Sequence, residues 1–211
     1  MGPEGDGRPA RRARPRTPLA VRLGTVEDAR GAAQLHASGI TEGFLSALGP
    51  GFLTRLYGRV VRQPGCFLLV AAAPGDLGGF VAGAADVRRL YRSFVLRDGV
   101  AAALPVVPRL VRSLPRVTET FRHGTAGDSG SGRGTELLAI AVDPRQRGGG
   151  VGRVLVAAFL DQVVADGGDA AHVVVGAENA PAVHLYLRAG FVQAGRFELH
   201  PGTESLLLQW D

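Results

Sequence analysis

A glycine-rich stretch between a predicted strand and a predicted helix decides how this chain folds. The stretch reads Val142-Asp143-Pro144-Arg145-Gln146-Arg147-Gly148-Gly149-Gly150-Val151-Gly152. Glycine lets the backbone adopt positive φ angles and approach a ligand closely. The free amides at the start of the following helix point outward, and the helix dipole favours an anion there. Because Arg147 and Arg153 add positive charge, the stretch predicts a cradle for a pyrophosphate; the alternative is a glycine-rich turn that binds nothing.

Two other kinds of phosphate-binding loop do not fit this stretch. A P-loop needs a lysine after its last glycine, whereas all 24 basic residues of this chain are arginines. A dinucleotide-binding fingerprint would need its third glycine where Arg153 or Leu155 stands. The predicted phosphate site therefore belongs to neither of these classes.

Strands and helices alternate around the stretch. The hydrophobic pattern predicts strands over residues 19–23, 67–73, 79–85, 137–142, 171–175, 191–197 and 205–210. It predicts helices over residues 25–37, 52–61, 152–165 and 180–188, the first of them capped by Thr25. This order predicts an α/β (α+β) domain whose central mixed sheet of about seven strands is flanked by helices.

Two segments fall outside this regular pattern. Residues 1–17 are rich in Gly, Pro and Arg, and we expect a disordered basic tail there, ahead of one domain over residues 18–211. Residues 87–133 scatter arginines among leucines, valines and prolines. We expect two or three short helices in this second segment and then a flexible loop over 124–134, which together form a helical insertion before the central strand.

Composition excludes several classes of function. Cys66 is the only cysteine, so no internal disulfide can form, which favours a reducing, cytoplasmic setting. No run of about 18 apolar residues predicts a membrane span. The net charge of +5 is concentrated in the tail, which we interpret as a disordered extension rather than a nucleic-acid-binding arm. The five histidines and the cysteine show no metal-ligand spacing, so we expect no metal.

A second motif follows the glycine-rich stretch. It reads Asn179-Ala180-Pro181-Ala182-Val183-His184-Leu185-Tyr186-Leu187-Arg188-Ala189-Gly190-Phe191. Together with Arg147-Gly148-Gly149-Gly150-Val151-Gly152, it resembles the two signatures of the GNAT superfamily of N-acetyltransferases: Arg/Gln-x-x-Gly-x-Gly/Ala, and Asn with a later Tyr before a Gly-Phe pair. The resemblance covers residues 135–211 closely and residues 19–86 more loosely, and it implies a GNAT-type fold whose sheet splays near Val142.

The resemblance also implies a set of cofactor-binding residues. The backbone of Ile140, Ala141 and Val142 would hold the pantetheine arm of an acyl-CoA. Asn179 would contact the cofactor as well. The amides that would hold the pyrophosphate, together with the Arg153 side chain, belong to Arg147, Gly148, Gly149, Gly150, Val151 and Gly152.

Two residues are the candidates for acid–base chemistry. Tyr186 would lie near the thioester sulfur as general acid, since a phenol with a pKa near 10 can donate a proton to a departing thiolate; the alternative is a core aromatic residue. Glu136 stands where the histone-acetylating branch of the family has a catalytic glutamate; the alternative is an exposed glutamate at a strand end. Glu42 and His36 are lesser candidates for the base.

The resemblance thus implies an acyl-CoA-dependent N-acyltransferase, with acetyl-CoA as the expected co-substrate. An amine of a small molecule would attack directly in a ternary complex, with the 87–133 insertion as a possible cover for the acceptor site. One alternative is an acetyltransferase for protein N-termini or lysines. Another is a non-catalytic acyl-CoA sensor or partner subunit. Expected partners are the acyl-CoA and an unidentified amine, without nucleic acid or membrane, and the chain would be a monomer or a homodimer.

Overall fold

The structure is a computed structural model, and it describes residues 19–40, 48–103, 132–200 and 203–211. The expectations for the tail, for Glu42 and for most of the insertion lie outside these residues. The helices are α1 (Asp28–Gly39), α2 (Pro50–Arg62), α3 (Val87–Ala103), α4 (Val151–Ala165) and α5 (Ala180–Arg188). The strands are β1 (Ala20–Leu23), β2 (Cys66–Ala73), β3 (Asp76–Ala84), β4 (Thr135–Val142), β5 (Ala171–Gly176), β6 (Val192–His200) and β7 (Thr203–Trp210).

The seven strands form one mixed sheet in the order β1-β2-β3-β4-β5-β7-β6. The pair β4–β5 is parallel, and the other neighbouring pairs are antiparallel. The predicted α/β class, the mixed sheet and its strand number are therefore confirmed.

Each face of the sheet carries its own apolar core. On one face, Leu155 and Phe159 of α4 pack against strand residues such as Leu137 and Val173. On the other face, α1 and α2 pack against β2, β3 and β4 around Phe80. Side chains alternate between the faces along each strand, so buried strands of this kind appear in the sequence as continuous hydrophobic runs.

The sheet opens between β4 and β5. These strands pair only at Thr135–Ala171 and Glu136–His172, so they separate immediately after Glu136. In the β3–β4 pair, Gly83 lies opposite Leu137 and the next residue, Ala82, lies opposite Ala139, which leaves Leu138 as an extra residue in β4. Such a bulge increases local twist and bends the strand. The strands are thus already apart at Val142, where we expected the splay, but the opening begins six positions earlier in β4.

Two predicted helices differ from the structure. Helix α1 begins at Asp28 rather than after Thr25. The Asp28 carboxylate accepts a hydrogen bond from the backbone N–H of Thr25 (2.8 Å), and this bond holds Thr25 in the segment before the helix. The start of the insertion is one helix of 17 residues, α3, so the expected division into short helices does not begin before residue 104. No helix within the described residues is long and apolar enough to cross a membrane.

Candidate functional site

The glycine-rich stretch forms a braced loop between β4 and α4. A short 3-10 turn over Pro144–Gln146 begins it, and the Asp143 carboxylate accepts hydrogen bonds from both the backbone (2.8 Å) and the side chain (2.7 Å) of Arg145. The side-chain hydrogen bond from Arg145 lowers the pKa of Asp143 below its usual range. Gly148 and Gly150 then take left-handed φ angles of 74° and 81°. The backbone of the loop is thus held in place, and the charge of the Asp143 carboxylate is paired with the Arg145 guanidinium.

The loop presents the amino end of α4 to solvent. Gly150 is the N-cap, and its carbonyl accepts the N–H of Val154 (3.1 Å). The amides of Val151, Gly152 and Arg153 lie in the first turn, where the helix offers them no acceptor. These amides and the helix dipole favour a bound anion.

Two guanidinium groups flank this helix end. A β-carbon placed on Gly150 would lie 3.3 Å from Nη2 of Arg153, so that side chain folds back over the loop. A β-carbon placed on Gly39 would lie 3.8 Å from Nη2 of Arg147, so the second guanidinium lies against the end of α1. Both arginines are exposed. Arg153 thus places positive charge beside the free amides, and Arg147 places a second guanidinium near the end of α1.

The opened edge of β4 leads directly to this loop. On the β3 side, Ile140, Ala141 and Val142 are paired along their length. On the β5 side, none of these three residues has a strand partner among those the structure describes. A backbone edge of this kind can hydrogen-bond an extended ligand in the manner of an added strand.

Tyr186 projects from α5 into the core beside the opening between β4 and β5, which is called the gap below. It is 3% exposed and belongs to the cluster that contains Leu137 of β4 and Val173 of β5. Every buried side-chain nitrogen or oxygen in the described part of the chain has a hydrogen-bond partner. The Tyr186 hydroxyl has no hydrogen-bond partner among the described residues, so it retains contact with the surface. Burial raises the pKa of the Tyr186 phenol above its usual range, so the group stays protonated at physiological pH but is a weaker acid than the unperturbed phenol that the sequence argument assumed.

Asn179 caps the helix that carries Tyr186. Its side-chain oxygen accepts the backbone N–H of Ala182 at 3.2 Å. The cap leaves the carboxamide N–H₂ of Asn179 as the group that could contact a cofactor. The structure therefore gives Asn179 a local folding role, which is compatible with the cofactor role that the motif implies.

Glu136 lies at the closed end of the gap, next to a residue that the sequence reasoning missed. Its Oε2 is 3.5 Å from Nε2 of His172, the residue opposite it on β5. The Glu136 side chain is 32% exposed, whereas that of His172 is 9% exposed. The signal for His172 was a histidine in an otherwise apolar predicted strand, because such a residue must find a polar partner when buried.

Other candidates from the sequence lie in packed surroundings. His36 is 4% exposed, and its Nδ1 contacts the Tyr57 hydroxyl at 2.5 Å; burial lowers the pKa of His36 to about 4. Burial also raises the pKa of Cys66 to about 11, so this thiol is not a nucleophile at neutral pH. Within the described ranges no three His, Cys, Asp or Glu side chains cluster as metal ligands would.

These features would suit an elongated anionic ligand. The edge of β4 that pairs with no described strand could take its extended part, and the amino end of α4 with the nearby arginines could take its phosphates. Comparison with known proteins gives the chain a family. The model of the acetyltransferase (GNAT) family matches residues 42–191. The chain therefore belongs to the GNAT acetyltransferase family.

Curated relatives match over a short segment. A mycothiol acetyltransferase from Clavibacter michiganensis is 44% identical over 59 residues, which is 28% of this chain and 19% of the relative. One from Kocuria rhizophila is 38% identical over 72 residues, or 33% and 24% of the two chains. The match thus spans about a fifth to a quarter of the length of these relatives.

Solved structures share the fold over nearly the whole chain. The Salmonella typhimurium protein yncA, solved with its cofactor acetyl-CoA, superposes with a TM-score of 0.60 at 14% identity, covering 92% of this chain and 94% of that one. A ribosomal-protein-alanine N-acetyltransferase from Brucella melitensis gives 0.59 at 18% identity, with 90% and 98% covered. These likenesses confirm the predicted GNAT-type fold.

Proposed function

We propose that this protein is an acyl-CoA-dependent N-acyltransferase that uses acetyl-CoA and acetylates an amine of a small molecule. The observation that carries the proposal is the continuity between the unpaired β4 edge at Ile140–Val142 and the free amides at the start of α4. The pantetheine arm of CoA is an extended chain with amide groups, and a pyrophosphate joins it to the rest of the CoA molecule. A strand edge that leads into an anion site matches both parts of that molecule.

The binding roles follow from these positions. Backbone groups of Ile140, Ala141 and Val142 would hold the pantetheine arm. The pyrophosphate would be held by the guanidinium of Arg153 and by the amides of Arg147, Gly148, Gly149, Gly150, Val151 and Gly152. Asn179 would add a contact through its amide nitrogen. Bound in this way, the thioester would lie in the gap between β4 and β5.

The chemical roles fall to Glu136 and Tyr186. Glu136, partly exposed at the closed end of the gap, would take a proton from the acceptor's ammonium group. The neutral amine then attacks the thioester carbonyl, and backbone amides of β4 polarise that carbonyl. Tyr186 gives its hydroxyl proton to the departing thiolate and regains one from the acylated nitrogen. The amine attacks directly, so no covalent acyl-enzyme forms.

The identity of both substrates is part of the proposal. The names of the curated relatives and the acetyl-CoA in the yncA structure support an acetyl donor. The insertion ahead of β4 supports a covered site for a small amine rather than an open groove for a protein chain. A cytoplasmic location, a monomeric or dimeric state and independence from nucleic acid stay predictions.

A thiol-release assay tests the proposal. Purified protein is given acetyl-CoA with a panel of small amines, an N-terminal peptide or a lysine peptide, and free CoA is measured over time. We expect CoA release that requires a small amine and that falls at least roughly 10-fold in Tyr186→Phe. Release only with a peptide would assign the protein to the macromolecular class. Binding of acetyl-CoA without release for any acceptor would favour the sensor.

A further inference from the structure

Three polar side chains form a row across the sheet at the closed end of the gap. Glu136 on β4 lies opposite His172 on β5, and His172 lies opposite Gln209 on β7, so the three share one face. The neighbouring residues Ala171 and Leu208 belong to the apolar core on the opposite face. Polar side chains that are buried beside an apolar core need hydrogen-bond partners. The backbone of Arg133 supplies them.

Arg133 fixes this row through its backbone. The side-chain oxygen of Gln209 accepts the Arg133 N–H (2.9 Å), and Nε2 of Gln209 donates to the Arg133 carbonyl (3.2 Å). Nδ1 of His172 lies 3.1 Å from the same carbonyl. A carbonyl oxygen can only accept, so Nδ1 must carry the hydrogen. The tautomer of His172 is therefore set by the backbone.

This tautomer determines what Nε2 can do. In the neutral ring Nε2 is an acceptor, and it faces another acceptor, the Glu136 carboxylate, at 3.5 Å. Two acceptors attract each other only when a proton is present on one of them. The 3.5 Å separation lies within the range of an ion pair when Nε2 is protonated, and it is longer than a short hydrogen bond. One proton on Nε2 of His172, on the buried side of Glu136, would therefore join the two groups.

Among the described residues, the other groups near Glu136 and His172 are not expected to take this proton. Tyr91 on α3 is close to Glu136, and burial followed by the Glu136 charge raises the pKa of Tyr91 to about 12, so it stays a neutral phenol. Gln209 does not titrate. The Arg133 guanidinium is 75% exposed and points to Asp169 (3.9 Å). From β3, the residue opposite Glu136 is Ala84, which has no polar side chain.

We propose that His172 is a positioning residue for Glu136: it orients the carboxylate at the closed end of the gap and holds the proton that Glu136 takes from the acceptor's ammonium. This inference rests on the proposed function of Glu136 as base. The proton leaves the ammonium nitrogen for a Glu136 oxygen, passes to Nε2 of His172 and yields an imidazolium–carboxylate pair. It returns to solvent through the exposed side of Glu136 after product leaves, so the pair is restored in each cycle.

Two substitutions separate this role from a structural one. His172→Asn keeps a donor in the place of Nδ1 and so retains the bond to Arg133, but it removes Nε2. His172→Gln places an amide near Glu136 that cannot take a proton. We expect both variants to bind acetyl-CoA within about 2-fold of wild type and to lose roughly 10- to 100-fold in kcat. The acid limb of the kcat profile should move in both variants, because the loss of Nε2 removes the second site for the proton.

The control is Glu136→Gln, alone and combined with each His172 variant. We expect the double variants to be no slower than Glu136→Gln, because His172 acts through Glu136. An unmoved acid limb, or an additive loss in the double variants, would overturn the inference. If Glu136→Gln itself keeps full kcat, the proposed base is wrong; if Glu136→Gln is slow while both His172 variants keep full kcat, only the role of His172 is wrong.

A measurement on folded wild-type protein removes dependence on the variants folding. The His172 ring is titrated by NMR in the wild type and in Glu136→Gln, with its signals identified by their loss in His172→Gln or, if that variant does not fold, by selective labelling. We expect an Nδ1–H tautomer, and we expect the ring-nitrogen signals of His172 to respond differently to pH once the Glu136 charge is removed. Equal titration in both proteins would contradict a shared proton.

Discussion

The left-handed conformation of Gly150 is a local constraint on the loop before α4, and Gly150→Val tests its role. The glycine has φ 81° at the N-cap of α4. A residue with a β-carbon costs roughly 1–2 kcal/mol in this conformation, which corresponds to a fall of about 2–8 °C in Tm for a chain of this size. The new β-carbon would also lie 3.3 Å from Nη2 of Arg153, so the guanidinium would have to move away from its position over the loop by at least a few tenths of an ångström.

The second effect is what distinguishes a ligand site from a plain turn. Loss of one charge-assisted hydrogen bond to a phosphate costs about 1.5–3 kcal/mol, so acetyl-CoA affinity should fall roughly 10- to 100-fold. The matched control is Gly167→Val, at the other end of α4. Gly167 has φ 82°, and its β-carbon would meet no atom within 4 Å.

The assay combines thermal unfolding with calorimetric titration of acetyl-CoA on both variants. We expect similar losses of Tm, because the backbone penalty is the same at both glycines. We expect weakened binding only in Gly150→Val. Equal affinities in the two variants would refute the assignment of this loop as the pyrophosphate site, whatever the effect on stability.

Three further predictions follow from the same structure. Tyr186→Phe should keep its Tm within about 2 °C of wild type, because the hydroxyl makes no hydrogen bond to a described residue. It should lower kcat roughly 10- to 100-fold with little change in acetyl-CoA affinity; a stable variant at full rate would remove Tyr186 from the mechanism. Gly134→Ala should fail to fold or lose several kcal/mol, since its β-carbon would collide with the Ala170 carbonyl oxygen; urea unfolding identical to that of the wild type would contradict this close approach at the start of β4. Stability should decrease as pH falls from about 6.5 to about 4, because the unfolded chain protonates His36 before the folded chain does; urea unfolding across this range, compared with His36→Gln, should show a shallower slope in the variant.

The sequence predicted the elements better than their pairing. Strand and helix positions could be read from hydrophobic runs, and the two motifs carried enough local information to predict a ligand site on the loop before α4. The early opening of the sheet could not be read, because it depends on Leu138 being extra in its pairing with β3, and the partner strand lies more than 50 residues earlier in the chain. A bulge leaves no mark in a run of apolar residues.

The sequence did not predict the proposed role of His172, for a related reason. Its partners are Glu136 on β4 and the Arg133 carbonyl, which is 39 positions away in sequence. Only the parallel pairing of β4 with β5 brings these groups together. The helix start at Asp28 was ambiguous in a different way, since a Thr followed three residues later by an Asp fits either direction of capping.

Calorimetry of the wild-type protein with acetyl-CoA, with CoA and ATP titrated in parallel, tests most directly whether the β4 edge and the loop before α4 form an acyl-CoA site. We predict micromolar binding of acetyl-CoA and detectable binding of CoA, because both contain the pantetheine arm that the β4 edge would hold. ATP, which lacks that arm, should bind far more weakly. No heat of binding for acetyl-CoA on a folded sample would contradict the proposed site, and equal affinity for ATP would reduce it to an unspecific phosphate cradle.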